Sequence, residues 1–144
     1  MAFFDWIDAY SVGIGEMDRQ HQRLVALLNE LYEAMYAGKG REALGKVLSG
    51  LRTYTRTHFT DEERMMRACG YPGYAEHRRI HEKMQARVEE IYTQFRDDRI
   101  SSPVQVSNFF KNWLARHILQ TDMKYAAFIA ASKKTTAGDR ERFF

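Results

Sequence analysis

The sequence predicts an all-α fold, an up-down-up-down four-helix bundle with an N-terminal arm. Apolar residues recur at alternating spacings of three and four along four successive stretches. Segments rich in glycine, proline or serine separate those stretches, and no stretch makes a convincing strand. Amphipathic helices joined by short connections bury their apolar stripes most simply by packing antiparallel around one core.

Residues 1 to 17 read as an arm whose aromatic residues Phe3, Phe4 and Trp6 anchor it to the bundle. From Asp18 onward, His21, Leu24, Leu28, Leu31 and Met35 lie on one helical face, with Asp18 as the expected N-cap. The glycines of "AGKG" at 37 to 40 end this helix, and a second follows with Leu44, Leu48, Leu51, Thr55, His58, Glu62 and Met65 or Met66. "CGYPGY" at 69 to 74 is a turn by composition. The third helix carries Tyr74, His77, His81, Met84, Val88, Ile91 and Phe95. Ser102 as N-cap and Pro103 at the first helical position start a fourth, with Val106, Phe110, Trp113 or Leu114, His117, Thr121 and Tyr125 inward. Residues 132 to 144 read as a loose polar tail, so the 144 residues form one domain.

Composition narrows the function. The single cysteine, Cys69, has no internal partner, and Asp5 and Asp8 stand where a secretory leader would carry basic residues, so a cytoplasmic location is expected. The longest apolar run, "YAAFIAA", is too short to span a bilayer. The net charge of +3 is spread over interleaved acidic and basic residues, which fits solvated helix faces and argues against a nucleic-acid partner.

The histidines carry the chemistry. His21, His58, His77, His81 and His117 are all five in the chain, and each falls on the core-facing side of its helix. Burying five imidazoles, each with two ring nitrogens to satisfy, is costly unless something binds them together, and a metal does. Glu62 follows His58 by one turn, and Asp122 follows His117 by five residues, a step about 140° past its start that brings the carboxylate in from the flank. Seven donors are too many for one zinc, whose sites take about four. With roughly six positions per octahedral ion, two ions fit. The imidazoles, two bridging carboxylates and one bridging oxide or hydroxide then fill all but one position. Imidazole suits zinc, copper and nickel as well as iron, so the ligands alone do not choose the metal.

A histidine followed by HxxxE, then HxxxH, then HxxxxD on four successive helices is a specific combination. From "WIDAYSVGIGEMDRQHQRL" through "HFTDEERMM" and "HRRIHEKM" to "WLARHILQTDMKY", the chain resembles the hemerythrins of the bacterial, single-domain kind. The resemblance implies a non-haem centre of two iron ions with an oxo or hydroxo bridge. His77, His81 and His117 would complete one iron, His21 and His58 the other, and Glu62 and Asp122 would bridge them. It further implies reversible dioxygen binding at the iron with fewer histidines, for storage or for delivery to an oxygen-consuming oxidase or oxygenase. A monomer is expected.

Reversibility requires an apolar lining that excludes water. Leu24, Phe59, Trp113, Leu114 and Ile118 lie beside the ligands in sequence, with Leu114 the expected wall of the oxygen pocket. Tyr125 reads equally as a partner of the ligands or as core. Di-iron bundles that perform oxidation use about four carboxylates and two histidines with ExxH twice, and this chain has no ExxH. Carriage is therefore expected rather than enzymatic turnover. Oxygen or redox sensing, and di-iron chemistry on peroxide or nitric oxide, are the alternatives. Met65, Met66 and Met84 read as core filling, and Cys69 as a turn residue.

Overall fold

The computed structural model describes residues 2–38, 41–99 and 103–142, with side chains at 2–38, 41–99 and 104–132. Helix α1 spans Gly15–Tyr36, α2 Arg41–Ala68, α3 Tyr74–Arg96 and α4 Pro103–Arg116. A π-helical turn at His117–Asp122 leads directly into α5, Met123–Arg142, and a short 3-10 turn at Asp8–Tyr10 lies in the arm. No strand occurs among the described residues. Helix α1 packs against α2 and α4, and α2 against α3.

Contacts between neighbouring helices run in opposite senses. Arg41 bonds the carbonyls of Phe95 and Arg96, Arg52 pairs with Glu89, and Glu62 meets His77. Such pairs, rising along α2 as they fall along α3, make the two helices antiparallel. His21 beside Asp122 and Ser107 beside Met35 give α4 the same relation to α1.

One half of the bundle interior is apolar, with Leu28, Leu31, Leu48, Leu51, Val88, Ile91 and Phe110 all buried. The other half, toward the α2–α3 turn, holds the histidines. That turn is fixed locally. Gly70 adopts φ +68°, its N–H bonds the carbonyl of Arg67, and the Tyr71 N–H bonds that of Met66, a Schellman end that satisfies two terminal carbonyls. A Cβ at Gly73 would sit 2.6 Å from the far end of the Tyr71 ring, so a larger residue there requires that ring to swing aside. The α3 terminus repeats the motif with Asp98 at φ 57°.

The arm is bound at both ends. Asn29 clamps Phe4 by two hydrogen bonds, 2.8 Å from the Phe4 N–H and 2.9 Å to its carbonyl. Phe4 is buried, Phe3 stacks on Tyr32 at 4.2 Å, and Lys111 donates to the Phe3 carbonyl from α4.

Three expectations need correction or limits. Asp18 does not cap α1, which starts at Gly15 behind Ile14. Its carboxylate instead accepts from the Ser11 hydroxyl and the Val12 N–H, tying the arm to the first turn. The loose tail at 132 to 144 is helical through Arg142, because no proline interrupts "SKKTTAGDRER" and each added residue extends a helix already nucleated. Phe143, Phe144, Lys39, Gly40 and Ser102 lie outside the described residues, while Pro103 does open α4.

Candidate metal centre

Each bundle helix brings its histidines inward by helical periodicity. His21 comes from α1, His58 and Glu62 from one face of α2, His77 and His81 from successive turns of α3, and His117 and Asp122 from the π turn. All seven are at most 5 % exposed.

The π turn corrects the expected geometry of Asp122. A standard helix would rotate it to the flank, but here the Met123 N–H reaches the carbonyl of Ile118, five residues back. The widened turn swings Asp122 under His117, with His117 Nε2 3.0 Å from Asp122 Oδ1. One residue more in the turn puts both donors on the same face.

The donors fall into two groups that could each hold a metal ion: Glu62, His77, His81, His117 and Asp122, and His21, His58 and Glu62. The carboxylates divide their oxygens between them. Glu62 Oε1 lies 3.1 Å from the Nε2 atoms of both His77 and His81, and Asp122 Oδ1 lies 3.1 Å from His77 Nε2. Glu62 Oε2 faces His21 Nε2 at 3.3 Å and His58 Nε2 at 3.4 Å, and Asp122 Oδ2 faces His21 Nε2 at 3.1 Å.

Both Asp122 oxygens, His81 Nε2 and His117 Nε2 are buried without a hydrogen-bond partner. Buried polar atoms are rarely left so, and here they point at one another. A cation held among them removes the deficit, so the donor set fits a metal.

Outer contacts fix the rings. His58 Nδ1 lies 2.7 Å from Gln20 Oε1, and the Gln20 amide donates to Asp61. His81 Nδ1 lies 2.9 Å from Glu63 Oε2. Each places the ring N–H outward and turns the Nε2 lone pair inward, as ligation requires. Phe59 stacks on His81 at 3.9 Å and Trp113 on His117 at 4.4 Å. Tyr125 settles as both core and partner: fully buried, it donates to Glu62 Oε2 at 2.9 Å.

Electrostatics show how strongly the two acids act. Burial lowers His21 and His77, but the Asp122 and Glu62 carboxylates beside them outweigh it and raise each to about 9. His58, where desolvation dominates, falls to about 4. Burial likewise opposes ionisation of Glu62 and Asp122, yet the surrounding imidazoles hold both carboxyls below their usual range.

Leu24, Phe59, Trp113 and Leu114 meet at one cavity with Leu28, Leu51, Thr55, Met84 and Phe110. Its ≈ 20 Å³ admits about one small molecule. Ile118 is fully buried but does not line it. The polar residues Gln20, Asp61 and Glu63 escaped the sequence reading. Their contacts cross between helices, and no spacing along the chain distinguishes them from solvated helix-face residues.

Comparison with known proteins finds relatives over most of the chain. Residues 12–129 match the family model described as the hemerythrin HHE cation binding domain. A bacteriohemerythrin of Stenotrophomonas maltophilia (strain R551-3) is 35% identical over 131 residues, covering 91% of this chain and 84% of the relative. A myohemerythrin of Riftia pachyptila is 30% identical over 83% of this chain and 88% of its own length. The crystal structure of a wild-type hemerythrin superposes with a TM-score of 0.81 at 28% identity, covering 88% of this chain and 97% of that one. With the family model covering most of its length and the histidine-carboxylate cluster buried at its heart, this chain belongs to the hemerythrin family.

Proposed function

We propose that the protein binds dioxygen reversibly at a non-haem di-iron centre, for storage or for delivery to an oxygen-consuming oxidase or oxygenase. The observation that carries the reading is the division of each carboxylate: Glu62 turns one oxygen toward His77 and His81 and the other toward His21 and His58, and Asp122 one toward His77 and His117 and the other toward His21. That arrangement suits two irons bridged by Glu62 and Asp122 together with an oxide or hydroxide. When bound, the iron pair supplies the electrons that dioxygen binding draws on.

The chain's residues supply the rest. The position with two histidines has one protein donor fewer and is the place for the ligand. Tyr125, fully buried, holds Glu62 Oε2 in place with its hydroxyl. Leu24, Leu114, Phe59 and Trp113 line an apolar cavity, and the last two also stack their rings on His81 and His117. Five neutral imidazoles give the irons less negative charge than a carboxylate-rich set, which suits binding without O–O cleavage and favours carriage over catalysis.

The test is the visible spectrum of the reduced, iron-loaded protein as air is admitted and then swept out by inert gas. A charge-transfer band that appears and then vanishes with the ferrous state restored is the expected result. Irreversible oxidation would remove the carrier assignment.

A further inference from the structure

The two groups of donors have unlike outer partners. His81, in the three-histidine group, rests its Nδ1 against a carboxylate, Glu63 Oε2, at 2.9 Å. His58, in the two-histidine group, rests its Nδ1 against a neutral amide oxygen, Gln20 Oε1, at 2.7 Å. On that side the acid, Asp61, stands one group further out, 3.1 Å from the Gln20 amide nitrogen. Nδ1 of His21 and of His77 is buried with no partner.

A ring that donates its N–H to a carboxylate acquires imidazolate character and becomes a stronger donor at its other nitrogen, more so than one that donates to an amide. Geometry holds His81 in this role from both sides. Phe59 stacks on its face at 7° between ring planes, while Glu63 is fixed at the rim, 3.9 Å from Arg78 Nε, with its side chain only 20 % exposed. Arg78 is itself drawn off toward Glu82 at 3.1 Å, so the cation tempers Glu63 without cancelling it.

Resting on the di-iron reading above, we propose that Glu63 is a positioning residue that makes the two metal positions electronically unequal. Through His81 it stabilises the ferric state at the three-histidine position. The amide at His58 leaves the other position the weaker-donated of the two, and the protein thereby sets which iron is oxidised more readily. Nothing in the sequence marks this role, because Glu63 sits beside Glu62 but points to a different side of α2.

The test compares wild type with Glu63→Gln in iron-loaded protein, reading iron per chain, the reduction potential by spectroelectrochemistry and thermal stability. Glutamine keeps an acceptor oxygen for His81 Nδ1 and removes only the charge. Loss of an outer partner commonly costs about 10–100-fold in metal affinity. If the ferric ion bears roughly a tenfold loss that the ferrous ion does not, the potential rises by about 59 mV for one electron. Iron content retained with the potential raised supports the proposal. Iron retained with the potential unmoved overturns it, whatever happens to stability, since a merely structural contact would change melting alone. Wild type that binds no iron pair overturns the di-iron reading itself and this inference with it. Should E63Q not fold, Arg78→Gln at its exposed site gives the opposite expectation: a lowered potential supports the role, and an unchanged or raised one refutes it.

Discussion

Truncating Leu114 to alanine separates its packing role from its role as a wall. The side chain is 5 % exposed and lines a cavity with Phe59 and Trp113, whose rings stack on His81 and His117. Removing three carbons forfeits about 0.8 kcal/mol each, roughly 2.4 kcal/mol in all. Incomplete collapse of the surroundings brings the loss to about 3–5 kcal/mol, and melting should fall by roughly 10–17 °C for a chain of this size. The cavity now has room for about one small molecule at ≈ 20 Å³. Enlarged on its Leu114 side, it admits further water, each molecule needing about 10–15 Å³. One water hydrogen bond to a charged leaving group is worth about 1.5–3 kcal/mol, so autoxidation of the oxygenated protein should quicken by about tenfold or more. Urea unfolding and the decay of the charge-transfer band in air measure the two effects separately. A stability loss of the expected size with an unchanged decay rate would refute the role of Leu114 as a barrier to water.

Further consequences follow from the same geometry. Tyr125→Phe removes a donor to a buried carboxylate oxygen and should cost about 2 kcal/mol in urea unfolding; a loss below about 0.5 kcal/mol would show that Glu62 does not depend on it. Glu62→Gln should reduce bound iron from two ions toward none rather than to one, because Glu62 belongs to both groups of donors, and elemental analysis showing one retained ion would contradict that. In the metal-free chain, His21 and His77 at about 9 lie above the ordinary 6.5, so their contribution is complete below pH 6.5 and is lost as pH rises through 9. His58, depressed to about 4, acts in the opposite direction and costs stability as pH falls from 6.5 toward 4. The metal-free protein should therefore melt lower at pH 9.5 than at pH 6.5, and equal melting temperatures would show that the histidine-carboxylate contacts do not form in solution. Iron loading should release protons and strengthen with rising pH, since each ligating histidine must be neutral.

The sequence alone determined the bundle and its ligand-bearing faces. Helical periodicity is a local property: His77, His81, Met84, Val88 and Ile91 share a face because of where they stand in α3, and all five are buried. Glycine and proline likewise marked the α2–α3 turn, since the φ of +68° at Gly70 is a demand on one residue. Local signals misled where two local rules competed. Asp18 has the chemistry of an N-cap, but the helix already begins at Gly15, and the carboxylate is taken up by the arm.

Only the tertiary structure decided how the donors divide and what stands behind them. A five-residue step between His117 and Asp122 can be flank or face, and the π turn settles it, because a single shifted hydrogen bond rotates everything that follows. Whether a carboxylate serves one neighbour or two depends on the angle between helices distant in sequence, as does the pairing of His81 with Glu63 and of His58 with Gln20. Such contacts join residues 18 and 38 positions apart. No periodicity within one helix encodes them; they arise when four helices, each correct by itself, settle into one packing.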